Sequence, residues 1–205
     1  MRTMKTMNRI FLLAVLIGSA GSAVALLAAP DQDRAQADAV QAFTVVQKVL
    51  QHPRCQNCHI PGDAPLQFDE GLAHAQNVKR GPEGKGARGL ACSTCHSTQN
   101  PPASYGASMP PGAPNWQLPP PEHKMVFIGL SAADLCRGLK NQKENGGKDL
   151  KALLEHVSHD GLVLWGWQPG VGRAPVDVPH DKFVAAFRQW TEAGAPCPGE
   201  TAAAR

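Results

Sequence analysis

Two short runs carry the strongest chemical information in this chain. Cys55-Gln56-Asn57-Cys58-His59 and Cys92-Ser93-Thr94-Cys95-His96 share the pattern C-x-x-C-H. Two thiols one helical turn apart can add across the two vinyl groups of haem, and the adjacent histidine can reach the iron. From the chain's own Cys and His frequencies, about 0.007 such motifs are expected by chance. This sequence holds two. A C-x-x-C redox couple and a four-cysteine zinc site are the competing chemistries, but neither requires a histidine after each second cysteine. The spacing therefore predicts two covalently attached haems on Cys55, Cys58, Cys92 and Cys95, with His59 and His96 as proximal ligands.

Each iron would have a second axial position, and the chain offers His52, His74, His123, His156, His159, His180, Met109 and Met125 for it. His52, three residues before Cys55, is too close to swing over the opposite haem face. His74 follows His59 by 15 residues in a loop flanking both motifs, where ligation of either iron is sterically feasible. Met109 precedes Pro110-Pro111, and Met125 precedes an apolar run that should turn it inward. His156 lies beside a helical apolar stripe, with Asp160 four residues later to orient its free ring nitrogen. His156 and His159 could resemble a metal pair, but no third ligand stands at useful spacing. The choice has a consequence: His/Met ligation raises a haem's reduction potential relative to His/His.

The elements that must position these groups are mostly helical. Val40, Phe43, Val46, Val49 and Leu50 form a stripe that predicts a helix over 32–51, ended by Pro53. Residues 61–90 read as loop, punctuated by glycines. Eight of the 21 residues from Pro101 to Pro121 are proline, which predicts an extended wrap. Ser131, with Asp134 as its capping acid, opens a helix carrying Leu135, Cys136 and Leu139. A further helix carries Leu150, Leu153, Leu154 and Val157, and the last carries Phe183, Val184, Phe187 and Trp190. No strand pattern persists.

Arg2, Lys5 and Arg9 precede an uncharged stretch from Ile10 to Ala29 that ends in small residues. That is the layout of an export signal over residues 1–29, either cleaved or retained as an anchor. Residues 30–205 would then form one exported domain. Without the three N-terminal cations, 17 basic residues face 17 acidic ones. A neutral domain of this kind is unsuited to holding nucleic acid by charge, and membrane contact would depend on keeping the N-terminal segment. Export also places the chain where spare cysteines pair. Four haem-attached cysteines leave Cys136 and Cys197, which we expect to form a disulfide. Only ten aromatic residues follow residue 29, so a side-chain core should be thin, with macrocycles filling the centre. Trp165 and Trp167 are read as core, or as an apolar wall beside a haem.

The motifs resemble the diheme c-type cytochromes. The runs HPRCQNCH, DAPLQ, VKRGPEGKG, CSTCH, PPGAPNW, ENGGKDL, LVLWGWQPG and GAPCP are similar to small exported cytochrome c subunits. Those subunits are associated with isoquinoline oxidoreductase-type molybdenum hydroxylases. Around the two motifs the spacing is also similar to the diheme subunit of periplasmic nitrate reductase. The resemblance implies a mainly α, irregular, loop-rich cytochrome c-type domain organised around two covalent haems. It places the family's methionine at Met125 and an internal histidine at His156. It further implies a periplasmic electron carrier working between an exported dehydrogenase or hydroxylase and a downstream carrier. The chain has no molybdopterin or flavin site of its own. A diheme peroxidase and a haem-based ligand sensor are the rival expectations. About 176 residues is short for the two cytochrome domains of a peroxidase.

Overall fold

The computed structural model describes residues 23–107 and 109–200, with side chains from residue 31 onward. It contains six α-helices: α1 (Ala23–Leu50), α2 (Pro53–Gln56), α3 (Ala132–Lys140), α4 (Leu150–His159), α5 (Gly161–Leu164) and α6 (His180–Glu192). Two minimal antiparallel hairpins interrupt the loops, β1 (Leu66–Gln67) with β2 (Leu72–Ala73) and β3 (Gly86–Ala87) with β4 (Leu90–Ala91). The chain is mainly α and rich in loops. Residues 1–22 of the expected export segment lie outside the described residues. Helix α1 extends further upstream than residue 32, because Ala23 to Ala29 consists of Ala, Leu and Val. Ala and Leu are among the strongest helix formers. Among the described residues no helix is long and apolar enough to cross a membrane.

The helices build one side-chain core. Helix α1 packs on α6 and α3, and α4 packs on α6. From α1 the core takes Ala42, Phe43, Val46, Val49 and Leu50; from α3, Leu135, Cys136 and Leu139; from α4, Leu153 and Val157. Helix α6 supplies Phe183, Phe187 and Trp190, whose rings touch in sequence at 5.9 and 5.3 Å between centroids. Phe43 meets Trp190 at 5.0 Å. Each such ring or aliphatic side chain stabilises the fold by about 1.5–3 kcal/mol through burial. Local signals agree with the packing. Ser131 caps α3 by accepting from the Asp134 amide at 3.1 Å, and Asp149 caps α4 by accepting from Ala152 at 2.7 Å.

The expectation of a thin core therefore holds for one half of the molecule and fails for the other. Between residues 53 and 125, the buried apolar side chains among the described residues are Ile60, Pro65, Ala113 and Leu118. Three polar ones, Arg54, Asn57 and Arg80, are buried with them. The helical half folds around side chains. The loop half does not.

Cys136 on α3 and Cys197 beyond α6 are joined by a disulfide across a sequence separation of 61. The bond fastens the end of the chain to the core, beside the Trp190 indole, which donates to the Pro196 carbonyl at 3.0 Å. Closing a loop of that size restricts the unfolded chain and contributes about 4 kcal/mol in the loop-entropy model. Alkylation without reduction should leave Cys136 and Cys197 unlabelled. A Cys136→Ala/Cys197→Ala variant should lose about that much stability in urea unfolding.

Candidate functional site

The two C-x-x-C-H runs adopt the same local turn. In the first, the Cys58 amide donates to the Cys55 carbonyl at 3.2 Å and the His59 amide donates to the same oxygen at 3.3 Å. In the second, Cys95 and His96 donate to Cys92 at 3.2 and 2.9 Å. Each run therefore closes one backbone turn on the carbonyl of its first cysteine. His52 starts the first turn as the cap of α2, its Nδ1 accepting from the Arg54 amide at 3.2 Å. That bond gives His52 a structural occupation.

Each imidazole is held in the same way from behind. His59 Nδ1 donates to the Met125 carbonyl at 2.7 Å, and its ring stacks on Phe127 at 3.9 Å and 12°. His96 Nδ1 donates to the Pro111 carbonyl at 2.7 Å, and its ring stacks on Trp116 at 4.4 Å and 6°. A carbonyl at Nδ1 fixes the tautomer with the hydrogen there and the lone pair on Nε2. Burial holds the His59 pKa down at about 4 and lowers that of His96 as well. Both rings are therefore neutral at neutral pH.

His74 faces His96, with ring centroids 6.1 Å apart. Its own Nδ1 donates to the Ala75 carbonyl at 2.9 Å, so its Nε2 is also the unengaged nitrogen. The two rings meet edge to face, at 66° between planes. His156 lies near enough to His59 to oppose its protonation, and Asp160 Oδ2 stands 3.5 Å from His156 Nδ1. Met125 turns its carbonyl to His59 and packs its side chain against the helical core. Its backbone adopts a left-handed φ of 45° to do so.

A cavity of about 510 Å³ lies between the two runs, lined by Cys58 of the first and by Cys92, Cys95 and His96 of the second. His74, Met109, Trp116, Trp165, Arg54 and Arg173 complete its working wall. That volume is in the range of small-molecule and cofactor sites. The two tryptophans of the Trp165-Gly166-Trp167 run divide: Trp165 faces the cavity, while Trp167 stacks on Phe183 in the core at 5.6 Å.

Burial pushes the Cys55 thiol up to about 12 and the Cys58 thiol up to about 11, with repulsion from Cys58 and Cys92 respectively adding to it. A redox C-x-x-C pair needs a lowered thiol pKa. Among the described residues no group of three or more His, Cys, Asp or Glu side chains is arranged to hold a metal ion.

Several residues that sequence patterns do not single out hold the loops in place. Arg80 is buried, and its guanidinium donates to Ile60 at 3.1 Å, to Gly62 at 2.8 Å and to Pro119. It joins the strand of chain after His59 to the proline-rich wrap. Asn100 accepts from Gly112 and from the Trp165 indole, each at 3.1 Å, and donates to Gln168 at 2.7 Å. Glycine is required at two crossings. A Cβ at Gly84 would collide with the Leu118 carbonyl, and one at Gly112 with the Gln99 carbonyl. A lone Arg, Asn or Gly carries no spacing signal, so only the fold reveals these roles.

No protein-family model matches the chain, and none of the curated proteins or solved structures compared with it matches.

The lowered His59 pKa has a measurable consequence for the unmodified polypeptide. Unfolding returns that ring to about 6.5, so below that pH the unfolded state binds the extra proton. Stability falls as pH drops from 6.5 toward 4, by about 3 kcal/mol over the full span. His52, His96 and His156 are shifted in the same direction. Urea unfolding across this range should therefore show a shallower, not an abolished, pH slope in His59→Gln.

Proposed function

We propose that the chain is an exported diheme c-type cytochrome that passes single electrons between other proteins. Cys55 and Cys58 would attach one haem and Cys92 and Cys95 the other. In each attachment a thiol sulfur bonds one vinyl carbon and the thiol proton goes to the other, with no net oxidation. When bound, the group supplies a one-electron iron couple. The chain supplies ligands, burial and orientation.

One observation carries the reading. Two C-x-x-C-H turns of like geometry each present a neutral imidazole with Nε2 free, and His74 lies beside one of them with ring centroids 6.1 Å apart. We assign His59 and His96 as proximal ligands and His74 as the distal partner of His96. For His59 the reading favours His156, with Asp160 orienting it, over the Met125 sulfur. The Met125 carbonyl already occupies the Nδ1 side of His59, away from Nε2, and its side chain faces the core. Two histidine-ligated irons suit electron transfer better than peroxide reduction or gas binding, each of which needs an open axial position. The N-terminal segment would direct the chain to the periplasm. Its partners would be an exported oxidoreductase, of the molybdenum hydroxylase type, and a downstream carrier.

Protein produced with a haem-attachment system should carry two haems per chain by pyridine haemochrome assay, retained through acid–acetone extraction. Cys92→Ala/Cys95→Ala should retain one. Loss of all haem on extraction would end the reading. The His74→Ala variant should keep both haems but turn one high-spin and able to bind carbon monoxide, whereas the wild type should bind none. A wild-type protein with one high-spin, peroxide-reactive haem would favour the peroxidase instead.

A further inference from the structure

We propose that Arg54 and Arg173 form a carboxylate-binding site in the wall of the cavity, and that its ligand is the propionate edge of the haem at Cys92 and Cys95. This rests on the diheme reading above. Both arginines line the cavity together with Cys92, Cys95, His96 and His74. The Arg54 side chain is only 3% exposed. Burying a guanidinium costs several kcal/mol unless it is paired and its donors are used. Arg54 pairs with Asp69, yet its buried Nε has no hydrogen-bond partner. Asp69 also accepts from the Ala174 amide at 3.2 Å, beside Arg173. One partly exposed carboxylate thus pairs with Arg54 and stands near enough to Arg173 to favour its charge.

The second cation is held as deliberately as the first. Arg173 donates to the Val171 carbonyl at 3.2 Å and to the Met109 carbonyl at 2.6 Å. That fixes it beside the Met109-Pro110-Pro111 segment whose last carbonyl holds His96. The Arg54 guanidinium sits over the Trp165 ring at 5.7 Å. Burial and the charge of Arg54 both lower the pKa of Arg173, and Asp69 opposes them. Two guanidiniums and one carboxylate leave an uncompensated positive charge on a partly dry wall. A carboxylate edge entering the cavity would neutralise it, and arginine forks bind carboxylates bidentately.

The test uses the full-length haem-loaded protein and spectroelectrochemistry of wild type, Arg173→Gln and Arg54→Lys. Removing a cation beside an iron favours its more positive, oxidised form. Arg173→Gln should therefore lower one of the two potentials by about tenfold in the one-electron equilibrium, which is 59 mV, and leave the other in place. Arg54→Lys keeps the charge but loses the fork, and should shift the same haem by less. Two attached haems with both potentials unmoved in both variants would overturn the arginine site alone. A wild-type protein without covalent haem would overturn the site and the diheme reading together. Titration with acetate separates the two sources of carboxylate. A saturable shift in the wild-type potential would show that the site takes a free anion, and would overturn the propionate assignment.

Discussion

Each C-x-x-C-H imidazole is pinned by a backbone carbonyl at Nδ1 and a parallel aromatic ring, and the loop half of the molecule is built to deliver those two contacts. The carbonyls come from Pro111 and Met125, and the rings from Trp116 and Phe127. All four lie in the stretch between the second motif and α3. Proline suits this stretch because it cannot donate, so an extended run can expose carbonyls without leaving unsatisfied amides. The stretch must then be held at fixed depth against both motifs. Arg80 does this through the Ile60, Gly62 and Pro119 carbonyls, and Asn100 does it through Gly112 and Trp165. Gly84 and Gly112 admit the close backbone crossings that result.

The two halves are stabilised by different physics. The helical half has a contiguous apolar core, closed by the Cys136–Cys197 disulfide, and tolerates substitution by the ordinary rules of volume and burial. The loop half relies on directional bonds to a few polar side chains. Such bonds specify one arrangement, but each buried partner left alone costs about 1–3 kcal/mol. The helical half is joined to the loop half through Gln51, whose amide donates to Phe127 at 3.1 Å and Leu130 at 2.8 Å. That contact carries the register of α1 to the ring that stacks on His59.

Much of this arrangement was legible in the sequence. The apolar stripes of α1, α3, α4 and α6, the Ser131 cap and the Cys136–Cys197 pairing followed from periodicity, capping chemistry and cysteine arithmetic. Both motifs announced their turns, and His74 stood out by its position between them. The start of α1 did not emerge, because the Ala- and Leu-rich residues 23–29 were read as part of an export segment rather than as helix. The side-chain core was underrated for a different reason. A count of aromatics over the whole chain averages a dense half with a nearly empty one. Arg54, Arg80, Arg173, Asn100 and Trp116 were not legible, since each acts through a long-range contact that no local spacing encodes. Met125 shows the same limit from the other side. Its position was legible, and the bond of its carbonyl to His59 was not.

The uneven distribution of side-chain core also bears on how the chain reaches its folded state. The helical half can collapse on its own residues. The loop half sets Arg54, Arg173, His96, Cys58, Cys92 and Cys95 around a cavity of about 510 Å³. On the diheme reading, attachment of the groups supplies apolar surface for the cavity and acceptors for the cations in one step. Folding of the loop half is then coupled to attachment in the way that metal binding is coupled to folding in small metal-dependent domains. The formal charge follows the same logic. Once the three N-terminal cations are set aside the chain is balanced, and on the diheme reading the carboxylates of a haem would meet two arginines in the cavity wall. Arg54 and Arg173 are held there by Asp69, Met109 and Val171 before anything arrives.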